Sequence, residues 1–225
     1  MNVTDNDFNP SYTGPRPDIQ KIVPQDIKRV LDFGCNVGSL GNSIASGPNH
    51  PEVYGVELDE KAAEVARESL VQVVTGDLDT LDLSEHFQPD FFDCMIFSDV
   101  LDDLKEPWDV LKNAVDLLAD DGYAVISIPN IRHYTSIMNL IFRGYWPYRD
   151  RGLHDRTHLR WFTLKNIREL CDYAGLEILS MDRNYRIWEK PLPRNRFARY
   201  FAIWPFKEFL VFQYLMVTRK RRSQV

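Results

Sequence analysis

The residues Asp32-Phe33-Gly34-Cys35-Asn36-Val37-Gly38 close a short apolar run with a turn of small residues. Such a turn lets the backbone pass close beneath a ligand, and a helix read directly after it aims its N-terminus at the same place. A dinucleotide would set its pyrophosphate there over a G-x-G-x-x-G pattern. The glycines here are Gly34, Gly38 and Gly41, so that pattern is missing. Asp32 adds an anion just before the turn. It would repel a pyrophosphate and attract a cation or an amino group. Glu57 closes the second apolar run, 19 residues past Gly38. A carboxylate at that place accepts both hydroxyls of a ribose. Gly76-Asp77-Leu78-Asp79 closes the third run. A carboxylate there suits an exocyclic amino group, and a backbone N–H beside it suits a ring nitrogen.

A second set of residues could move protons. His133, His154 and His158 fall in the segment after the fifth apolar run, which follows the edge where substrates bind in such sheets. Histidine is the usual general base near neutral pH. His158 stands in Asp155-Arg156-Thr157-His158 and is the first candidate, with a loop-ordering hydrogen bond as the alternative. His154 and His133 are candidates on the same ground. His154 and His158 are four apart, but no third ligand or helical pattern accompanies them, so no metal is expected. Trp146, Tyr148, Trp161 and Phe162 could wall an acceptor pocket or close the core beneath a lid.

These residues need elements to hold them. Strands are expected at 29–33, 53–57, 70–75, 91–97, 123–128, 176–181 and 210–217. Helices are expected at 17–22, 38–46, 59–69, 107–119, 164–174 and, apart from Pro205, 194–208. Pro107 suits a first helical position, and Val110, Leu111, Ala114, Val115 and Leu118 share a face. Near-continuous apolar strands spaced by helices imply an α/β fold with a parallel sheet covered on both faces. Residues 1–28 read as a lead-in, 29–220 as one domain with an acceptor-side insert or lid at 131–162, and 219–225 as a basic tail.

The order VLDFGCNVG, VYGVELD, GDLD, FDCMIFSDVLDDLKEP and GYAVISIPN resembles the class I S-adenosylmethionine (SAM)-dependent methyltransferases. Within them it is similar to ubiquinone-type O-methyltransferases and to bacterial methyltransferases associated with cell-surface glycans. RPDIQKIVP and GLHDRTHLRWFT resemble the glycan-associated group, and the likeness runs from about Tyr12 to Lys220. The resemblance implies a Rossmann-like seven-stranded sheet whose last strand is antiparallel. It implies SAM as cofactor, with S-adenosylhomocysteine as product. Asp32, Gly34 and Gly38 would surround the methionine part, with Cys35 and Asn36 in the same loop. Glu57 would hold the ribose, with Leu58 beside it, and Asp77 and Leu78 the adenine. Ser98 and Asp99 would line the floor near the methyl donor. Two positions depart from the pattern. Asn36 stands where a glycine is usual, and Asp102-Asp103 stands where Glu-His is frequent, so any histidine role there is absent or moved.

Bulk properties narrow the remaining choices. The 225 residues carry a formal net charge of −6, with a sequence pI of about 5.4. That balance argues against nucleic acid as the main partner. Cys35, Cys94 and Cys171 are dispersed, which fits a reducing cytoplasm. The acceptor is read as a small molecule or a glycan-type or lipid-linked molecule, methylated at oxygen. The aromatic and basic C-terminal stretch (Phe201, Trp204 and Phe206 with Arg194, Arg196 and Arg199) packs on the sheet or else rests on the inner face of a membrane. A nicotinamide-dependent oxidoreductase and a non-catalytic partner subunit of the same fold are the competing readings.

Overall fold

The computed structural model describes residues 13–187, 193–201 and 207–221, without the side chains of 194, 196 and 201. After the short helix α1 (Pro17–Gln20) the chain alternates strand and helix: β1 (Arg29–Phe33), α2 (Ser39–Ala45), β2 (Glu52–Glu57), α3 (Glu60–Ala66), β3 (Gln72–Thr75), β4 (Phe92–Ser98), α4 (Pro107–Val115), β5 (Leu118–Pro129). Then come α5 (Tyr134–Arg143), α6 (Leu164–Tyr173), β6 (Leu176–Tyr185), α7 (Ala198–Phe201) and β7 (Val211–Lys220). The seven strands form one sheet in the order β3-β2-β1-β4-β5-β7-β6. β7 runs antiparallel to both β5 and β6, and the other pairings are parallel.

Alternation along β1 explains both the core and the site. Leu31 and Phe33 join the apolar layer beneath α4 and α6, with Leu111, Ile167 and Leu170. Val30 joins the opposite layer, with Ile19 of α1, Leu40 and Ile44 of α2, and Ala63 and Ala66 of α3. Side chains of a strand point alternately to the two faces. Asp32 therefore shares Val30's face and enters the α1–α2 layer as its charged member.

Where the elements differ from expectation, the causes are local. α4 ends at Val115, short of residue 119, because β5 already begins at Leu118 and pairs with Phe92 across a register shift. β6 and β7 pair with each other beyond the expected ends, to Tyr185 and Lys220. Arg219 and Lys220, read as part of a basic tail, thus belong to the sheet. Lys220 Nζ bonds Asp90 Oδ1 at 3.0 Å, and Arg221 pairs with Asp172. The helix expected at 194–208 is described as a 3-10 turn (Pro193–Phe197), α7 and a second 3-10 turn (Lys207–Phe209). Trp204, Pro205 and Phe206 lie outside the described residues, as do the side chains of Arg194, Arg196 and Phe201. Arg199 lies over the Tyr200 ring at 4.8 Å. Among the described residues no helix is long and apolar enough to cross a membrane.

The strand ends that carry the site rest on a stacked pair. Phe33 and Phe97 are register partners on β1 and β4, both fully buried, with ring centroids 4.3 Å apart and planes 7° from parallel. Truncating Phe97 to Ala should lower unfolding stability by about 3–5 kcal/mol. Denaturant titration checks this, and a loss below about 1 kcal/mol would show that the neighbours collapse to fill the space.

Candidate active site

The sheet order sets β3, β2, β1 and β4 side by side, so the ends of those strands line one edge. Asp32, Glu57, Asp77, Ser98 and Asp99 all stand there. β1 and β4 flank the point where the strand order reverses, the usual ligand crevice in such sheets.

The turn after β1 is built for close approach. Gly34 and Gly38 have φ of 70° and 79°. A Cβ on Gly38 would come within 3.1 Å of the Ala66 backbone, so a side chain there is excluded twice over. Asn36 also adopts a left-handed φ of 49° in place of the usual glycine. Its own Oδ1 accepts the Val37 N–H at 2.8 Å and closes the turn. Its backbone N–H donates to Glu57 Oε2 at 2.8 Å, while the Asp59 N–H donates to Oε1 at 2.9 Å. The β1 turn and the β2 end are thereby locked together around the Glu57 carboxylate. Cys35 packs under this junction: a Cβ on Gly55 would fall 2.5 Å from its sulfur. Burial, followed by Asp32 and Glu57, pushes the Cys35 thiol up, so it acts as packing. Leu58 is exposed beside Glu57.

Asp32 is the unusual group. It is 2% exposed, and its Oδ1 has no hydrogen-bond partner. Burial, reinforced by the negative charge of Glu57 and opposed by Arg16, pushes its carboxyl up to about 7. Two carboxylates at one strand edge, one of them short of partners, make a place for a positively charged ligand group and repel a phosphate. Asp77 turns the chain after β3: its Oδ1 accepts the Asp79 N–H at 3.0 Å, and Leu78 packs partly buried against the core. Asp79 fixes the start of α4 by accepting the N–H groups of Lys105 at 3.0 Å and Glu106 at 2.9 Å.

Sequence reasoning missed Arg16. It lies in the lead-in with a left-handed φ of 48°, and its guanidinium reaches over the strand ends. Nη1 donates to Ser98 Oγ at 2.6 Å and Asp99 Oδ2 at 2.7 Å, and Nη2 to Ser127 Oγ at 3.2 Å. Asp18 grips the same group through Nε at 3.0 Å. Asp99 itself has φ 55° and also accepts from Gln213 Nε2 and Ser127 Oγ, each at 2.6 Å. The three histidines separate. His133 is buried at the N-cap of α5, with Nε2 2.9 Å from the Arg186 carbonyl oxygen. His154 is buried under α5, with Nε2 3.1 Å from Ser136 Oγ. His158, with a side chain 7% exposed, sets Nε2 3.0 Å from Oδ2 of Asp102, off the line of a well-aligned hydrogen bond. Burial, then the charges of Asp99 and Asp103, lift Asp102 well above the usual carboxylate range. An imidazole from the segment 131–162 thus meets the stretch whose sequence lacks one. Of the four aromatic candidates, Phe162 is core, packed at 6.0 Å on Trp108. Trp146 meets His154 and Trp161 edge-on, and Tyr148 is exposed.

A family model described as a methyltransferase domain matches residues 13–181. The chain belongs to the methyltransferase-domain family. A ubiquinone biosynthesis O-methyltransferase from Aeromonas salmonicida is 28% identical over 158 residues, covering 68% of this chain and 65% of that one. The methyltransferase therefore aligns with somewhat less than two thirds of that relative's length. Its fold is that of a SAM-dependent methyltransferase from Thermotoga maritima, with a TM-score of 0.64 at 16% identity over 93% of this chain and 90% of that one. It is also similar in fold to the 1,6-didemethyltoxoflavin-N1-methyltransferase of Burkholderia thailandensis, solved with that substrate and S-adenosylhomocysteine. There the TM-score is 0.59 at 19% identity, covering 92% and 78% of the two chains. The seven-stranded sheet with its antiparallel β7 is the Rossmann-like fold of these class I methyltransferases.

Asp32 makes the pH dependence of stability predictable. An unfolded aspartate titrates near 3.8 and the folded one near 7, so between those values the folded methyltransferase keeps a proton that the unfolded chain has lost. Stability from this group falls as pH rises through that window. Asp32→Asn should therefore gain stability relative to the parent between about pH 4 and pH 8. Parallel stability curves, measured by denaturant titration across that range, would contradict the burial argument.

Proposed function

We propose that this methyltransferase moves the methyl group of SAM to a hydroxyl of a small or glycan-type acceptor, lipid-linked ones included, with His158 as the proton acceptor. The observation that carries the donor side is the buried, under-bonded Asp32 carboxylate facing Glu57 at the reversal of strand order. SAM supplies a methyl carbon already activated by positive sulfur. Asp32 and the Gly34–Gly38 turn hold the charged methionine part, and Arg16 complements its carboxylate from above the β4 end. Glu57, aligned by two backbone N–H groups, accepts from the ribose hydroxyls. Asp77 and Leu78 stand at the adenine end, and exposed Leu58 gains cover from the ring. Ser98 and Asp99, tied into the Arg16 network, set the floor.

Catalysis in such a site is mostly alignment, since the displacement is in line and needs no covalent intermediate. When bound, SAM would supply its methyl group to the acceptor oxygen and leave as S-adenosylhomocysteine, and His158 would take the hydroxyl proton. Asp102, 3.0 Å from that imidazole, positions it. His133 and His154 are already engaged inside the lid and order it. The cavity bounded by Asp102, Ile131, Leu153, His158 and Trp161 holds about 10 Å³, near the volume of one water, so an acceptor reaches the imidazole only when the lid shifts. Oxygen as the methylated atom is favoured by the sequence likeness to an O-methyltransferase.

Calorimetric titration with SAM tests the donor side: Asp32→Ala and Glu57→Ala should each abolish measurable binding, and Arg16→Ala should weaken it by roughly tenfold, the effect of losing one charge-assisted pair. Binding unchanged in all three would overturn the assignment. On the acceptor side, His158→Ala should cut turnover about 10²–10⁴-fold. The donor affinity should stay that of the parent. Equal loss of donor binding in that variant would make His158 a structural residue instead.

A further inference from the structure

Helix α5 is amphipathic and sits the wrong way round for a globular protein. Its buried side is polar: Ser136 and Asn139 face the protein. Its apolar side, with Met138, Ile141 and Phe142, faces outward, and Ile141 and Phe142 are 70% and 72% exposed. The orientation is fixed by polar contacts. His133 caps the first turn, Ser136 Oγ meets His154 Nε2 at 3.1 Å, and the Asn139 carbonyl accepts the Tyr145 N–H at 3.0 Å across the left-handed Gly144. Rolling the apolar stripe inward would break the contact to His154 and the one that His133 Nε2 makes with the Arg186 carbonyl oxygen at 2.9 Å. Tyr145 and Tyr148 extend the exposed patch past the helix end.

Charge says what covers this patch. Residues 131–162 contain six arginines and two aspartates, with no lysine or glutamate, in a chain whose formal net charge is −6. Arg143 ends the helix and is exposed, as are Arg149, Arg151 and Arg156 after it; Asp155 is buried, and exposed Asp150 pairs with Arg156. An apolar helical stripe flanked by arginines and tyrosines matches the boundary between anionic headgroups and acyl chains. A second copy of this face would set its arginines against their own kind. We infer that α5 and the turn after it form the surface by which this protein rests on an anionic lipid bilayer. This places a membrane contact on the segment that follows β5. On the proposed function, it also puts the acceptor side of the sheet against the bilayer.

Co-sedimentation of the full chain with vesicles tests the surface without any methyl transfer. One set is phosphatidylcholine alone, and the other is phosphatidylcholine mixed with an equal amount of phosphatidylglycerol. The protein should partition onto the mixed vesicles, lose that partition in high salt, and bind phosphatidylcholine alone weakly. The double variant Ile141→Glu, Phe142→Glu should partition at least about tenfold less, and Arg149→Glu, Arg151→Glu should lose the preference for phosphatidylglycerol. Each variant is first checked for S-adenosylhomocysteine affinity, and one that fails to fold is replaced by Ile141→Ser, Phe142→Ser. No partition of the parent protein, or equal partition of the folded double variant, overturns the inference. So does a parent dimer, seen by light scattering, that the double variant dissolves, since a second copy would then cover the patch.

Discussion

A carboxylate buried at the end of the central strand without a full set of partners is the constraint around which this molecule is arranged. Leaving a buried acceptor unsatisfied costs about 1–3 kcal/mol, and more for a charged one. Asp32 bears that cost, and Glu57 beside it makes the field more negative still. On the proposed function, a positively charged donor group offsets it. Gly34 and Gly38 bracket the neighbouring turn in left-handed conformations, and the second carboxylate is held in place by backbone N–H groups from two directions.

The opposite flank of the site is held by Arg16. Its guanidinium ties the lead-in to the ends of β4 and β5 through Ser98, Asp99 and Ser127, and Gln213 of β7 closes the same cluster. Two non-glycine residues in left-handed conformations, Arg16 and Asp99, meet at this point. Such strain persists only where the surroundings over-determine it, and it concentrates at ligand clamps. The lead-in is therefore part of the candidate site. The segment 131–162 reaches the same region from the other side, since His158 lies on Asp102 and the backbone N–H groups of Leu159 and Arg160 donate to the Asp102 carbonyl at 2.8 and 2.9 Å.

The strand-end half of the candidate site was readable in the sequence because it is local. Asp32, Glu57 and Asp77 each end an apolar strand, and parallel pairing brings strand ends together without further information. The antiparallel β7 came from family likeness, not from periodicity. Arg16 carried no such signal: it sits in a polar lead-in, and its partners at 98, 99 and 127 are joined to it only by the fold. Helix α5 was hidden for a different reason. Sequence reading assumes that an apolar stripe faces the core, and here Ser136 and Asn139 take that side. The contact between His158 and Asp102 is likewise tertiary. The sequence showed a histidine missing from the stretch after β4, and only the folded lid shows where an imidazole comes from.

The central claim is that Asp32 is a carboxylate kept waiting for a cation, and its titration measures that directly. Carboxyl-selective NMR of the protein, recorded against pH with and without S-adenosylhomocysteine, follows this group alone when Asp32→Asn is used to assign its signal. The account predicts a midpoint near 7 in the free protein. It predicts a fall of at least about two units once the ligand's ammonium group is bound. An ordinary aspartate midpoint in the free protein, or a raised one that the ligand leaves in place, would contradict it.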